Sequence, residues 1–569
     1  MKRILIALTL ICAALAFTGC EKRLDIQKKG VISMESFYQT DADAESALVN
    51  AYYQAARWLS NTMGTEAGWN ECPLLNPFEY ASDDMFAAGE NKADGVEGNQ
   101  INAFWYNDTN SVITGSYHCY YMIINAANQV IDHFAESADT QVKKRCVAEA
   151  RVLRAYIHLI LAMGWYNPPI VDHVLDGNDR PANATDQNEV LDFIISDCEA
   201  ALPDLTERAS TGDKNGCIKV TKGFANALMG KAKMFKGDYA GAKTDLKKVI
   251  DSGKYDLVPS DQMTSLYHYS GRGNQESVLE FNLKYDATVD GYYQRAQPNF
   301  KMLWGWRASR VRFPDGEGTE LPPEGPWGWC NPSKKFVDTI LENDGYDSAR
   351  RKAWIKSYDE VLYEMPYTTD ADFPTLADKK KDKYRGVYDA AGLYGHVGYF
   401  MWKRLYRAED RTPTAEIQWN LVIMRYAEVL LMYAECCAQT SDDGTGLAAL
   451  NKVQNRAQSK HISSACTLAE VQKEKYIECW LEGSRFPDLV RWGIADQELK
   501  DNGKYLPNFC DAMFSKGEAE HRGYIDESDA AWCVSAHPEM GFNSAKHSYF
   551  PIPFDEKKVN PNIHDWNAK

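Results

Sequence analysis

Acidic and basic side chains recur at short spacing in two stretches near the C-terminal end of the chain. In RYAEVLLMYAE, residues 425 to 435, Arg425, Glu428 and Glu435 fall at i, i+3 and i+10. In EGSRFPDLVRWG, residues 482 to 493, Glu482, Arg485, Asp488 and Arg491 recur every third residue. Two carboxyl groups facing each other across a sugar ring could cleave a glycosidic bond, one as acid and the other as base or nucleophile. Ser82-Asp83-Asp84 could supply half of such a pair, or a cation site. The spacing argues otherwise: a base beside each acid lowers its pKa, whereas a general acid needs it raised. These clusters predict ion pairs that knit the scaffold together, and 82–84 predicts a loop cap. No zincin, nucleophile-elbow or phosphate-loop signature is present. The eleven histidines show no ligand spacing, and TGDKNG (211 to 216) lacks the carboxylates of a calcium loop. No cofactor, metal or catalytic residue is expected.

The second kind of chemistry is stacking. Trp304 and Trp306 flank a glycine in LWGWRASR, and Trp327 and Trp329 flank another in PWGWC. In extended backbone, residues i and i+2 project to one side about 7 Å apart, so each W-G-W could lay two indoles along one edge. Sugars present apolar CH faces ringed by hydroxyls, which suit such rings together with a few amides. Trp304, Trp306, Tyr292 and Tyr293 are the leading ligand candidates. Trp327, Trp329, Trp69 and Asn70 follow, with Trp105 behind them. The competing reading makes the tryptophans plugs where irregular loops meet helices, a role that Trp327 and Trp329 fit equally well.

Something rigid must hold these rings. Residues 147 to 171 carry Val147, Leu153, Ile157, Ile160 and Leu161 on one helical stripe, with Gly164 placed to end the helix before Asn167-Pro168-Pro169. Residues 221 to 258 read as two antiparallel helices turning at Gly237-Asp238, a unit resembling a tetratricopeptide pair. Residues 421–439, 446–459 and 468–483 predict further amphipathic helices. The fold class is thus mostly α, a tetratricopeptide-like helix-pair scaffold carrying an irregular, loop-rich ligand-binding region. That region, 261–420, separates an N-terminal part, 20–260, from a C-terminal helical part, 421–569.

Residues 1–19 read as an export signal: Lys2 and Arg3, then an apolar run too short to span a bilayer. The stretch ending at Cys20 resembles a bacterial lipobox, which would make Cys20 the lipidated first residue and the acyl chains the only hold on a membrane. Losing Lys2 and Arg3 takes the net charge from -17 to -19, which disfavours nucleic acid and anionic lipid headgroups as partners. Export permits disulfides among the remaining cysteines, with connectivity left open.

Several stretches, in this order behind the lipobox, resemble the SusD/RagB family of Bacteroidetes surface lipoproteins. They are EARVLRAYIHLILAMGWYNPPIV (149 to 171), TKGFANALMGKAKMFKGDYAGA (221 to 242), NPSKKFVDTILENDGYDSARR (331 to 351), MRYAEVLLMYAECC (424 to 437), LNKVQNRA (450 to 457), EKYIECWLEGSRFPDLVRWG (474 to 493) and YFPIPFDEKKVNPN (549 to 562). The resemblance covers essentially the whole mature chain. It departs from the family pattern at Cys436-Cys437, where Ala-Leu is frequent. It implies a lipid-anchored outer-membrane protein facing the cell exterior, which captures oligosaccharides for a SusC-type TonB-dependent transporter and performs no chemistry. Peptide capture is the nearest alternative, and a glycoside hydrolase a more distant one. Because ligand contacts vary across the family, the resemblance assigns no binding residue.

Overall fold

The computed structural model describes residues 37–60, 72–87, 94–283, 303–305, 327–357, 360, 397–405, 407–410, 419–503 and 540–568. Several of its helices begin where a side-chain oxygen can accept from the unpaired N–H groups of a first turn. Thr40 starts α1 (Asp41–Leu59) with a reciprocal cap, its hydroxyl accepting from the Asp43 N–H while Asp43 accepts from the Thr40 N–H at 2.8 Å. Asn110 caps α2 (Ser111–Phe134), Thr140 caps α3 (Gln141–Trp165) and Asp186 caps α4 (Gln187–Ala201). Thr221 and Asp238 cap α5 (Lys222–Phe235) and α6 (Tyr239–Asp251). Each helix packs on a neighbour: α1 on α2, α2 on α3, α3 on α4, α5 on α6. The predicted pair at 221–258 forms, turning at Gly237, whose φ of +81° a side chain would resist.

Gly164 does not end α3 as the sequence suggested. The helix runs on to Trp165, and Tyr166 takes the left-handed step at φ +66°. Gly164 is small because the C-terminal segment crosses it: a Cβ there would lie 3.3 Å from the Phe78 ring and 3.4 Å from Phe550. The Gly164 carbonyl accepts the Phe550 N–H at 2.7 Å.

The middle region contributes β1 (Ser277–Leu283), α7 (Lys334–Asp344), α8 (Ala349–Trp354), β2 (Ile355–Ser357) and β3 (Tyr399–Met401). β2 pairs antiparallel with β3, and β1 pairs antiparallel with β4 (Trp419–Arg425). Residues 421–425 are therefore strand, not the first turns of a helix; the helix α9 (Tyr426–Gln439) starts only after Arg425. Next come α10 (Thr445–Ala457), α11 (Leu468–Glu478), α12 (Arg485–Arg491) and α13 (Phe554–Val559). α11 stops at Glu478, so Glu482 lies beyond it. One apolar cluster, from Ala44 to Ile563, joins the helices to the middle region. No described cysteine is disulfide-bonded. Burial pushes the Cys217 and Cys466 thiols up to about 12. No helix among the described residues is long and apolar enough to cross a membrane.

Candidate functional site

The charged clusters are ion pairs, but their partners lie far apart in sequence rather than one helical turn away. Arg425 donates to Glu276, Glu478 and Glu482. Arg485 grips Asp83 at 2.8 and 2.9 Å, and Lys231 meets Glu428 at 2.8 Å. Only Arg491–Asp488, at 2.8 Å, is the local pair that spacing suggests. Burial would raise the Glu482 carboxyl, yet Arg425 and Lys403 outweigh it and hold the group at about 2. Lys475 and Arg491 likewise overcome burial and hold Asp488 at about 2. Asp83 is also held low: burial opposes ionisation, but Arg485 and Lys335 prevail.

Two carboxyls run the other way. Burial, and then the charge of Asp83, push Asp84 up to about 7, and burial with Asp84 beside it raises Glu79. Asp84 accepts from the Ser82 hydroxyl at 2.5 Å, and Glu79 accepts from the Gly483 N–H. Both are sealed, at 0% and 2% exposure, so neither can reach a glycosidic oxygen. Their consequence is for stability. The unfolded Asp84 ionises above about 3.9 while the folded one stays protonated to about 7; rising pH across that window therefore favours the unfolded chain. Asp84→Asn should remove this penalty, so its melting temperature should gain on the wild type by several degrees between pH 4.5 and 8. A difference that does not change with pH would refute the assignment.

The two W-G-W stretches meet each other. Trp304 and Trp329 form a parallel backbone bridge: the Gly305 N–H donates to the Trp329 carbonyl at 2.9 Å, and the Trp329 N–H to the Leu303 carbonyl at 2.8 Å. Asn331 locks the pair, its Nδ2 donating to the Gly305 and Gly328 carbonyls at 2.8 and 3.1 Å while its Oδ1 accepts from the Met401 N–H at 3.0 Å. Gly305 and Gly328 sit at φ +115° and +100°. At 327–329 the turn lies outside strand geometry and the expected flat edge of indoles does not form: the Trp327 and Trp329 rings meet at 77° with centroids 6.0 Å apart.

Burial then sorts the candidates. Trp304 is 0% exposed and Trp329 4%. The stacking role expected of them is corrected: both are framework, with no ring face open to a sugar. The Trp329 indole N–H donates to Asp94 at 3.2 Å. Trp327 is half-buried and packs against the apolar cluster. Trp105, also half-buried, packs beside Ala103 and Met540. Tyr292, Tyr293, Trp306, Trp69, Asn70 and Cys20 lie outside the described residues.

The bridge continues into a cleft of about 670 Å³ whose lining includes Asp83, Phe86, Asn102, Lys334, Gln497 and Asn502. Phe86 belongs to both, because its N–H donates to the Asn331 carbonyl at 2.9 Å and its carbonyl accepts from the Cys330 N–H at 3.0 Å. Three amides, three lysines, three carboxylates and one aromatic line a cavity of this size, a mixture of hydrogen-bonding groups that suits a polyhydroxylated ligand. Sequence reading missed Asn331 and Asn102, since buried asparagines that organise backbone carry no spacing of their own. The one available signal was Asn331 two positions after the second W-G-W, ahead of the Ser333 cap of α7.

A family model described as the SusD family matches residues 252–568. The chain is 26% identical over 526 residues to SusD-like protein P2 of Formosa agariphila, covering 88% of this chain and 94% of that one. A SusD-like protein of Bacteroides ovatus is 22% identical over 602 residues, covering 98% and 97%. Among solved structures, surface glycan-binding protein A from Bacteroides thetaiotaomicron superposes with a TM-score of 0.69 at 21% identity, over 93% of this chain and 100% of that one. A laminarin-binding SusD-like protein gives 0.66 at 22% identity, over 93% and 99%.

Proposed function

The chain belongs to the SusD family, and from that premise we propose that it captures oligosaccharides at the cell exterior and passes them to a SusC-type TonB-dependent transporter without altering them. Cys20, acylated after removal of residues 1–19, would be the anchor in the outer membrane. The tetratricopeptide-like helices are the frame, and the junction around Trp327 with its adjoining cleft is the gripping surface. The observation that carries this reading is the pairing of the two W-G-W stretches, which holds the half-buried Trp327 next to a rigid bridge that adjoins a cleft of amide and charged side chains. A solved relative in fold, surface glycan-binding protein A in complex with laminarihexaose, supports a saccharide as the kind of ligand. The sealed carboxyls support capture rather than hydrolysis.

Calorimetry against a panel of neutral plant, algal and host oligosaccharides tests it. The wild type should bind at least one member and release no reducing sugar. Trp327→Ala should weaken that binding about fivefold, the loss expected of one stacking ring at about 1 kcal/mol, while leaving the melting temperature unchanged. Equal affinity in the variant, or cleavage of the ligand, would sink the reading.

A further inference from the structure

A larger cleft, of about 860 Å³, opens between α1, α2, the loop 169–181 and α13, and shares no lining residue with the one beside Phe86. Its floor is a cation. Arg57, in the last turn of α1, is 8% exposed and lies 4.3 Å over the ring of Trp58. Trp58 is itself pinned, its indole N–H donating to Gln54 at 2.8 Å. Several buried arginines elsewhere in the molecule face carboxylates, as Arg154 faces Asp197 and Arg425 faces Glu276, Glu478 and Glu482, while Arg208 donates to backbone carbonyls and Arg404 lies over the Tyr267 ring. Among the described residues Arg57 has neither ion-pair partner nor hydrogen-bond acceptor. An indole face attracts a guanidinium but accepts none of its N–H groups. A nearly buried guanidinium facing a cleft without an acceptor is matched by a ligand that brings one.

The walls say what else that ligand carries. Asn125 makes no hydrogen bond among the described residues, and the side-chain nitrogens of Asn50 and Gln129 are likewise unused, their oxygens accepting from Gln54 and Tyr38. Arg180, at the rim, is held by the carbonyls of Val559, Gly177 and Asp179 rather than by a carboxylate. The two acids of the lining are already engaged: Asp179 accepts from the Asp176 N–H at 2.6 Å, and Glu556 meets His118 at 3.1 Å. Met122, Leu175 and Val559 line the same cleft and are exposed at 38%, 37% and 60%.

We propose that this cleft is a second saccharide site, selective for a sugar that bears a carboxylate. Arg57 receives the carboxylate, the amides of Asn50, Asn125 and Gln129 take hydroxyls, and the exposed apolar side chains cover CH faces. The choice of a saccharide over an acidic peptide rests on the glycan-capture reading above; the demand for an anion rests on Arg57 alone.

The probe is an α-1,4-linked galacturonic acid oligomer, titrated by calorimetry into the full mature chain at low ionic strength. Binding is expected, and reduction of its carboxylates to alcohols should cost at least tenfold. Arg57→Gln should cost at least tenfold and Arg57→Lys less, since a lysine restores charge but not the planar fork. Added salt should weaken the acidic probe. Trp327→Ala should leave its affinity intact, and Arg57→Gln should leave that of neutral glycans intact, so failure here is separable from failure at the aromatic junction. Should Arg57→Gln not fold, Asn125→Ala with Gln129→Ala on the outer wall should still cost about fivefold, and no loss in that variant would overturn the proposal. Equal binding of the carboxyl-reduced oligomer, no binding of the acidic one, or capture of an oligoglutamate peptide in its place would also overturn it.

Discussion

Arg425→Met should destabilise the protein by about 3–5 kcal/mol near neutral pH, the usual consequence of removing one partner from a buried ion cluster. The guanidinium is 1% exposed and spans three carboxylates: Nη1 reaches Glu276 at 2.5 Å and Glu478 at 2.8 Å, and Nε reaches Glu482 at 3.0 Å. The same carboxylates are shared with Arg456, Lys403 and Arg350, so no side chain idle in the wild type can replace it. Glu276 precedes β1, Arg425 ends β4, Glu478 ends α11, and Lys403 follows β3; the cluster therefore fastens the irregular middle region to the C-terminal helices. The pH dependence gives the mechanism a signature. Glu482, held at about 2, and Glu478, which the surrounding arginines keep low against burial, contribute stability above the unfolded value of about 4.3; it is lost as pH falls toward their folded values. The gap in melting temperature between wild type and variant should thus be widest near pH 7 and narrow toward pH 3. A gap that stays constant would mean that Arg425 matters through packing alone.

Trp304→Ala should cost about 3–5 kcal/mol, in the range for a large aromatic deleted from a packed core, and its signature is the reverse of Trp327→Ala. Trp304 is 0% exposed and belongs to the continuous apolar cluster. Its removal leaves a cavity beneath the backbone bridge that carries Trp329 and, through Gly328, Trp327. Thermal unfolding should show a large loss for Trp304→Ala and none for Trp327→Ala, while ligand titration should show a direct loss for Trp327→Ala. If Trp304→Ala melts like the wild type and loses only ligand, the ring is a binding surface and the burial argument fails.

Much of the scaffold could be read before any coordinates. The apolar stripes of 147–161 and 224–250 are local signals, each set within one or two helical turns, and helices obey local rules. The strand at 421–425 escaped because its partner, 277–283, lies about 140 positions away. Nothing within a window around Leu421 registers that pairing.

The W-G-W stretches mark the boundary between what chain chemistry determines and what packing decides. Their residue types announced that large rings and close backbone approach were needed there, and both needs are real. Which indoles face solvent depended on the two stretches bridging to each other with their glycines turned out of strand geometry. Arg57 is the converse case. In sequence it is an ordinary basic residue in the last turn of a helix, and only the assembled walls of α2, the loop 169–181 and α13 make it an unmatched charge at the bottom of a cleft. The helical frame and the family were legible along the chain, because periodicity and ordered motifs are written residue by residue. Solvent exposure and charge pairing were decided by the tertiary structure, because both are properties of neighbours that the chain brings together from hundreds of positions apart.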